Sequence, residues 1–224
     1  METAQTLAPY RAVLSSCPLF AGLGGETLTR ALSFFCAQKV LFRRGEFLHR
    51  AGEPLTCFGL VLEGAVQVAS DDRDGNRMIM ATVSPGETFG ESLCFLRVRE
   101  APVYITAAED CAVLRLSPGS LSRAGADPQE ADFSRRFTAM LAARTLRMND
   151  RIQILSRLTL RAKLIAFFSD QAKKNGSDTF SIPLDRADMA AYLGADRSAL
   201  SRELSRMKRE GLIDYYRNSF RLLR

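Results

Sequence analysis

LDRADMAAYLGADRSALSRELSRMKREG, residues 184–211, holds the densest local information in the chain. Asp185 stands where an N-cap belongs, Met189, Ala190 and Leu193 give an apolar face, and Gly194 supplies a residue free to take positive φ. Asp196 then caps a second helix on which Leu200, Leu204 and Met207 recur at i, i+4 and i+7, before Gly211 ends it. Two short helices, a tight turn, a small residue at Ala190 and an inward aliphatic at Leu200 predict a helix-turn-helix. The face opposite the apolar stripe carries Arg197, Ser198, Ser201, Arg202, Ser205, Arg206 and Arg209. Such a set suits guanine edges and phosphates in a major groove, so these seven are the candidate DNA-binding residues.

Working outward, residues 212–223 (LIDYYRNSFRLL) alternate about Arg217-Asn218-Ser219 like a small β-hairpin, a wing beside the helix pair. Charge separates this region from the rest. The net charge is +6, and residues 156–224 hold 14 Lys/Arg against 8 Asp/Glu, whereas residues 1–155 hold 17 of each. The whole basic excess therefore lies beside the reading helices, the electrostatic footprint of a polyanion binder rather than of an ordinary solvated face.

Upstream, residues 7–35 read as short helices, and from Gln38 the texture changes to alternating runs punctuated by glycine. LVLEGAVQVAS and NRMIMATVSPG flank a DRDGN turn as a hairpin, and VYITAAEDCAVLRLSP supplies further strands, which together predict a jelly roll. Asp127-Pro128 starts a helix uninterrupted by Gly or Pro to about Leu155, ~42 Å at 1.5 Å per residue. Its apolar positions Phe133, Phe137, Met140, Met148, Ile152 and Leu155, with Arg144 among them, form a seam that predicts pairing with a twin helix. Another amphipathic helix follows, closed by Asn175-Gly176, and Phe180 to Leu184 form a strand beside the wing.

The expectation is an α+β protein: a β jelly roll over residues 1–124, a long dimerisation helix over 125–156, and a winged helix-turn-helix over 157–224. No stretch suits a membrane span or a secretion signal, which points to the cytoplasm. The five cysteines are scattered and lack a C-x-x-C pair, so they read as small apolar core residues.

Jelly roll, long helix and winged helix-turn-helix in this order resemble the cyclic-AMP receptor and fumarate-nitrate regulator (CRP/FNR) family of bacterial transcription factors. Phe89-Gly90-Glu91 and RADMAAYLGADRSALSRELSRMKREGLI over residues 186–213 carry the resemblance. It implies a homodimer on a near-palindromic operator, an effector acting through the β domain, and RNA polymerase as a further partner if the protein activates. Departures qualify it. Ser198 occupies a position where the family often has glutamate, and Ala101-Pro102 occupy the place of the Arg-Ser or Arg-Thr pair that clamps a cyclic phosphate. Proline offers no N–H and alanine no charge, which argues against cyclic AMP.

The expected effector is thus an unidentified small molecule, with Glu91, Arg99, Tyr104, Arg144 and Met148 as candidate lining. For Glu91 and Arg144 a structural ion pair is the alternative. An iron-sulfur cluster needs clustered cysteines near the N-terminus, and His49, the single histidine, reads as a satisfied structural residue rather than a haem ligand. No cofactor and no metal site are expected. A cupin-like enzyme needs several converging metal ligands, so an enzyme is not expected. A DNA-binding regulator without an effector stays open.

Overall fold

The computed structural model describes residues 7–71, 77–122, 127–182 and 184–223. The DRDGN turn at residues 72–76 and the expected domain boundary at 124/125 lie outside them. The chain divides into two compact units, residues 1–143 and 144–224.

In the first unit a 3-10 turn (Ala8–Tyr10) leads into α1 (Arg11–Ser16) and α2 (Gly25–Phe34). The strands are β1 (Gln38–Phe42), β2 (Phe47–His49), β3 (Phe58–Glu63), β4 (Val66–Asp71), β5 (Arg77–Val83), β6 (Thr88–Phe89), β7 (Tyr104–Ala107) and β8 (Cys111–Leu116), with the short helix α3 (Glu91–Phe95) after β6. They form two four-stranded antiparallel sheets, ordered β1-β8-β3-β6 and β2-β7-β4-β5. Most strands adjacent in sequence thus fall in different sheets, as in a jelly roll.

The two-residue period of a strand sorts the β3 and β8 side chains between two cores. Phe58, Leu60 and Leu62, with Ala112, Leu114 and Leu116, join the cluster built by the helices, whereas Val61, Cys111 and Val113 face the space between the sheets. Both faces of β3 are therefore buried, which explains why FGLVL is apolar without alternation. The helical layer is rich in phenylalanine: Phe35, Phe58 and Phe137 stand with ring centroids 5.4–6.3 Å apart.

Helix α4 (Pro128–Leu155) begins as its sequence requires, with Asp127 Oδ1 accepting from the Gln129 N–H at 2.8 Å. Its seam corrects an expectation. Phe133, Phe137 and Met140 are buried in the core of the first unit itself, so they are not available to a twin helix. Only the second half of the stripe stays open, with Met148 and Ile152 each 60% exposed. Among the described residues no helix is long and apolar enough to cross a membrane.

The second unit continues with α5 (Leu160–Asn175), β9 (Thr179–Ser181), α6 (Arg186–Leu193), α7 (Arg197–Arg209), β10 (Ile213–Tyr216) and β11 (Ser219–Leu222). Helix α5 is capped by Thr159, whose side chain accepts from the Ala162 N–H at 3.1 Å, and ends at Gly176 with φ +61°. The strand expected over 180–184 is shorter and earlier. It pairs with β11 in a sheet ordered β10-β11-β9. Phe168, Phe180 and Phe220 form its aromatic centre, with Leu164, Leu193, Leu200 and Leu204 fully buried around it.

Candidate nucleic-acid interface and effector domain

The helix pair is built as its caps dictate. Asp185 Oδ1 accepts from the N–H groups of Ala187 and Asp188 at 2.7 and 2.8 Å, and Gly194 at φ +60° closes α6. Asp196 Oδ1 accepts from the N–H groups of Ser198 and Ala199 at 2.8 and 3.0 Å, starting α7. Bonds to the charged form, from the N–H groups of Asp188 and Ala187 at Asp185 and first from the Ser198 hydroxyl at Asp196, hold both carboxyls below the usual aspartate range. Lys163 Nζ donates to the Leu193 carbonyl at 3.1 Å, a cation on the C-terminal end of α6.

Leu200, Leu204 and Met207 are buried, which turns all seven candidate residues of α7 to solvent. Ser201, Arg202, Ser205, Arg206 and Arg209 line one open concavity of about 660 Å³ on this face. Arg202 is pre-oriented, since its Nη1 donates to Ser198 Oγ at 3.1 Å and that hydroxyl donates to Asp196 Oδ1 at 2.5 Å. Ser201 and Ser205 donate to the carbonyls of Arg197 and Ser201, each at 3.0 Å, so towards solvent their hydroxyls offer acceptor lone pairs. Arg206 differs from expectation in being engaged, with Nε donating to Glu210 Oε1 at 3.0 Å. Glu210 also receives Arg161, which bridges to Glu203 at 2.6 Å and ties α5 to α7.

The wing hairpin turns on two residues, Arg217 and Asn218, with Tyr216 paired to Ser219. Arg217 has φ +52°, and its guanidinium lies 5.5 Å from the ring centroid of Tyr216, itself 75% exposed. Arg186 is internal mortar: Nη2 donates to the Arg217 carbonyl at 2.8 Å and its guanidinium lies over Tyr215 and Phe220. Nothing in the local pattern around residue 186 marks this, because its partners lie about thirty residues away.

The residues of the expected effector lining are set by several elements. Glu91 is buried at the start of α3, after Gly90 at φ +79°, and accepts from the Thr88 hydroxyl, which also lies 3.8 Å from the Met140 sulfur. Arg99 is exposed, and Tyr104 is half-buried with its ring 6.2 Å from that of Phe47. Arg144 and Met148 belong to the second unit. The departure at 101–102 is firm: Ala101 is fully buried, with its N–H bonded to the Glu53 carbonyl and its own carbonyl accepting from Gly52. His49 corrects the expectation of a satisfied histidine. It is buried, yet its Nε2 meets no hydrogen-bond partner among the described residues, and burial lowers its pKa below the ordinary 6.5. Sequence carried no signal for this, since it depends on what the fold leaves opposite the ring.

Comparison with known proteins agrees with this geometry. The family described as "Cyclic nucleotide-binding domain" matches residues 39–126, and the "Crp-like helix-turn-helix domain" matches residues 162–224. The nitrogen fixation regulation protein FixK of Bradyrhizobium diazoefficiens is 26% identical over 191 residues, covering 83% of this chain and 78% of its own. The cyclic AMP receptor protein of Thermus thermophilus is 27% identical over 201 residues, 89% of each chain. The solved structure of FixK2 from Bradyrhizobium japonicum superposes with a TM-score of 0.51 at 26% identity, over 83% of this chain and 92% of its own. A cyclic-nucleotide-binding fold, a Crp-like reading head and relatives that are transcription regulators converge: the chain belongs to the CRP/FNR family of DNA-binding transcription regulators.

Proposed function

We propose that the protein works in the cytoplasm as a homodimer, reads a near-palindromic operator through α7, and answers to a small molecule other than cyclic AMP. The observation that carries the reading is the α7 face, where Arg202 is held by Ser198 and flanked by Ser201, Ser205 and Arg209 on one open surface. In this reading Arg197, Ser198, Ser201 and Arg202 face base edges, while Arg206, Arg209 and the wing residue Arg217 face phosphate. Half-sites then lie about one helical turn apart, ~34 Å. The twin helix packs on the open half of the α4 stripe, Met148 and Ile152, rather than on the whole seam. If the protein activates, RNA polymerase is its further partner.

Cyclic AMP is disfavoured by Ala101-Pro102: neither side chain carries a cation for an anion there, and the Ala101 N–H is already bonded to Glu53. Selection of bound duplexes from a random pool, followed by fluorescence anisotropy with and without cyclic AMP, tests the reading. A palindromic consensus with unchanged affinity in the nucleotide is the expected result. Micromolar cyclic AMP that tightens operator binding would overturn the effector part, and recovery of no consensus would overturn the whole.

A further inference from the structure

The tip of the wing is held by more than its own hairpin. Both turn residues, Arg217 and Asn218, have their carbonyls taken by groups outside the β10–β11 ladder. Arg186 Nη2 donates to the Arg217 carbonyl at 2.8 Å, and the Ile182 N–H donates to the Asn218 carbonyl at 2.9 Å. Next to the tip, the Tyr215 ring meets two cations, the Arg186 guanidinium at 5.2 Å and Lys208 Nζ at 5.1 Å from its centroid. Phe220, paired across the hairpin with Tyr215, lies under the same guanidinium at 5.1 Å. A two-stranded hairpin is marginal by itself. Because Arg186 opens α6, which the Asp185 cap fixes, these contacts tie the tip to the helix pair.

Arg217 stands at φ +52°, in the first position of a two-residue turn, where glycine is the usual occupant. A side chain kept there strains the backbone, and retained strain points to a side chain with a task. The Arg217 guanidinium lies 5.5 Å from the ring of Tyr216, itself 75% exposed, so the tip presents a cation and an aromatic together. Arg186 is placed otherwise. Its Nη1 is buried without a hydrogen-bond partner among the described residues, its Nη2 is engaged by the Arg217 carbonyl, and the guanidinium rests over two rings. Neither of those nitrogens is open to a phosphate.

We propose, resting on the docking of the head on DNA set out above, that Arg186 is the positioning residue of the wing: it touches no DNA itself and acts through Arg217, which it holds as a phosphate contact additional to α7. The side chain suits the task. A planar guanidinium lies flat over aromatic faces while its N–H groups point outward in the plane to a carbonyl, which a lysine ammonium cannot reproduce.

A double-mutant cycle in operator anisotropy with the full chain, joined to ethylation interference on the operator phosphates, tests this. Arg217→Gly removes the guanidinium and suits the positive φ, so the turn is kept. It should weaken operator binding about tenfold over the two wings of the proposed homodimer, with a log–log salt slope shallower by about 0.9 for each phosphate released. Arg186→Met should give a loss of the same size, and the double variant should match Arg217→Gly alone within about twofold. Losses that multiply in the double variant overturn the positioning role, because Arg186 then acts independently of Arg217. Arg186→Lys covers the case in which methionine unfolds the head. Lysine keeps a charge able to meet phosphate but not the stacked plane, so this variant should lose the phosphates that Arg217→Gly loses and keep those of α7. A lysine variant with the full wild-type interference pattern overturns the role as well. Arg217→Gly without effect, while Arg202→Ala weakens the operator, removes the wing contact and leaves α7 in the groove. Arg202→Ala without effect removes the docking itself.

Discussion

Replacing Arg202 by alanine tests the reading head most directly. The side chain is exposed, so its removal leaves the buried Leu200, Leu204 and Met207 untouched and the folded head intact. A bidentate arginine contact to guanine is worth about 1 to 3 kcal/mol per site. The proposed homodimer presents two such helices, so the operator complex should lose about 2 to 6 kcal/mol, or from about 30-fold to above 10,000-fold in affinity. The Asp196–Ser198–Arg202 chain of hydrogen bonds pre-orients the guanidinium, which places Ser198→Ala in the same direction with a smaller loss. That loss should be about 0.5 to 1.5 kcal/mol per helix, the net worth of one hydrogen bond. The assay is anisotropy of a labelled operator and of a scrambled duplex across a salt series. A base contact weakens the operator alone and leaves the salt slope intact. Equal loss on both duplexes, with the log–log slope shallower by about 0.9 for each phosphate no longer neutralised, would show that Arg202 only touches backbone. Unchanged operator affinity would remove α7 from the groove altogether.

Ile152→Asp, placed on the open stripe of α4, should convert the proposed homodimer to monomer in analytical ultracentrifugation without lowering the melting temperature of the β domain; the same change at the buried Phe137 should unfold that domain instead. Gly59→Ala should destabilise the β domain by about 1 to 3 kcal/mol, because the new Cβ would stand 2.1 Å from the Phe89 ring, and an unchanged melting point would contradict that packing. His49 has a folded-state pKa depressed by burial, so its contribution is fully present above the ordinary value of 6.5 and is lost as pH falls from there towards the folded value. Stability of the wild type should therefore drop as pH falls below about 6.5, by no more than about 1.4 kcal/mol per pH unit, and His49→Gln should flatten that segment of the curve.

Much of the reading head was legible in the sequence, because its determinants are local. Asp185 and Asp196 cap the residues that follow them immediately, Gly194 turns the chain where positive φ is needed, and the i, i+4, i+7 stripe of Leu200, Leu204 and Met207 selects the solvent face without knowledge of a partner. Arg206 was legible as exposed but not as engaged, since its partner Glu210 is one of several reachable groups at helical spacing. The glycine-punctuated strands likewise announced a jelly roll. Their order, β1-β8-β3-β6 against β2-β7-β4-β5, was not contained in the texture of the strands.

The α4 seam marks the limit. Periodicity says that Phe133, Phe137, Met140, Met148 and Ile152 share a stripe, yet burial is a property of what lies opposite. Only the tertiary structure divides the stripe into a half that meets Phe34, Phe35 and Phe58 and a half that stays open. The sequence by itself determined the kinds of element, their caps, the reading face and the segregation of charge, all set by interactions within a few residues. Which apolar faces meet, which half of the long helix stays open, and what stands opposite the His49 ring were decided by tertiary structure, where groups far apart in the chain compete for the same neighbours.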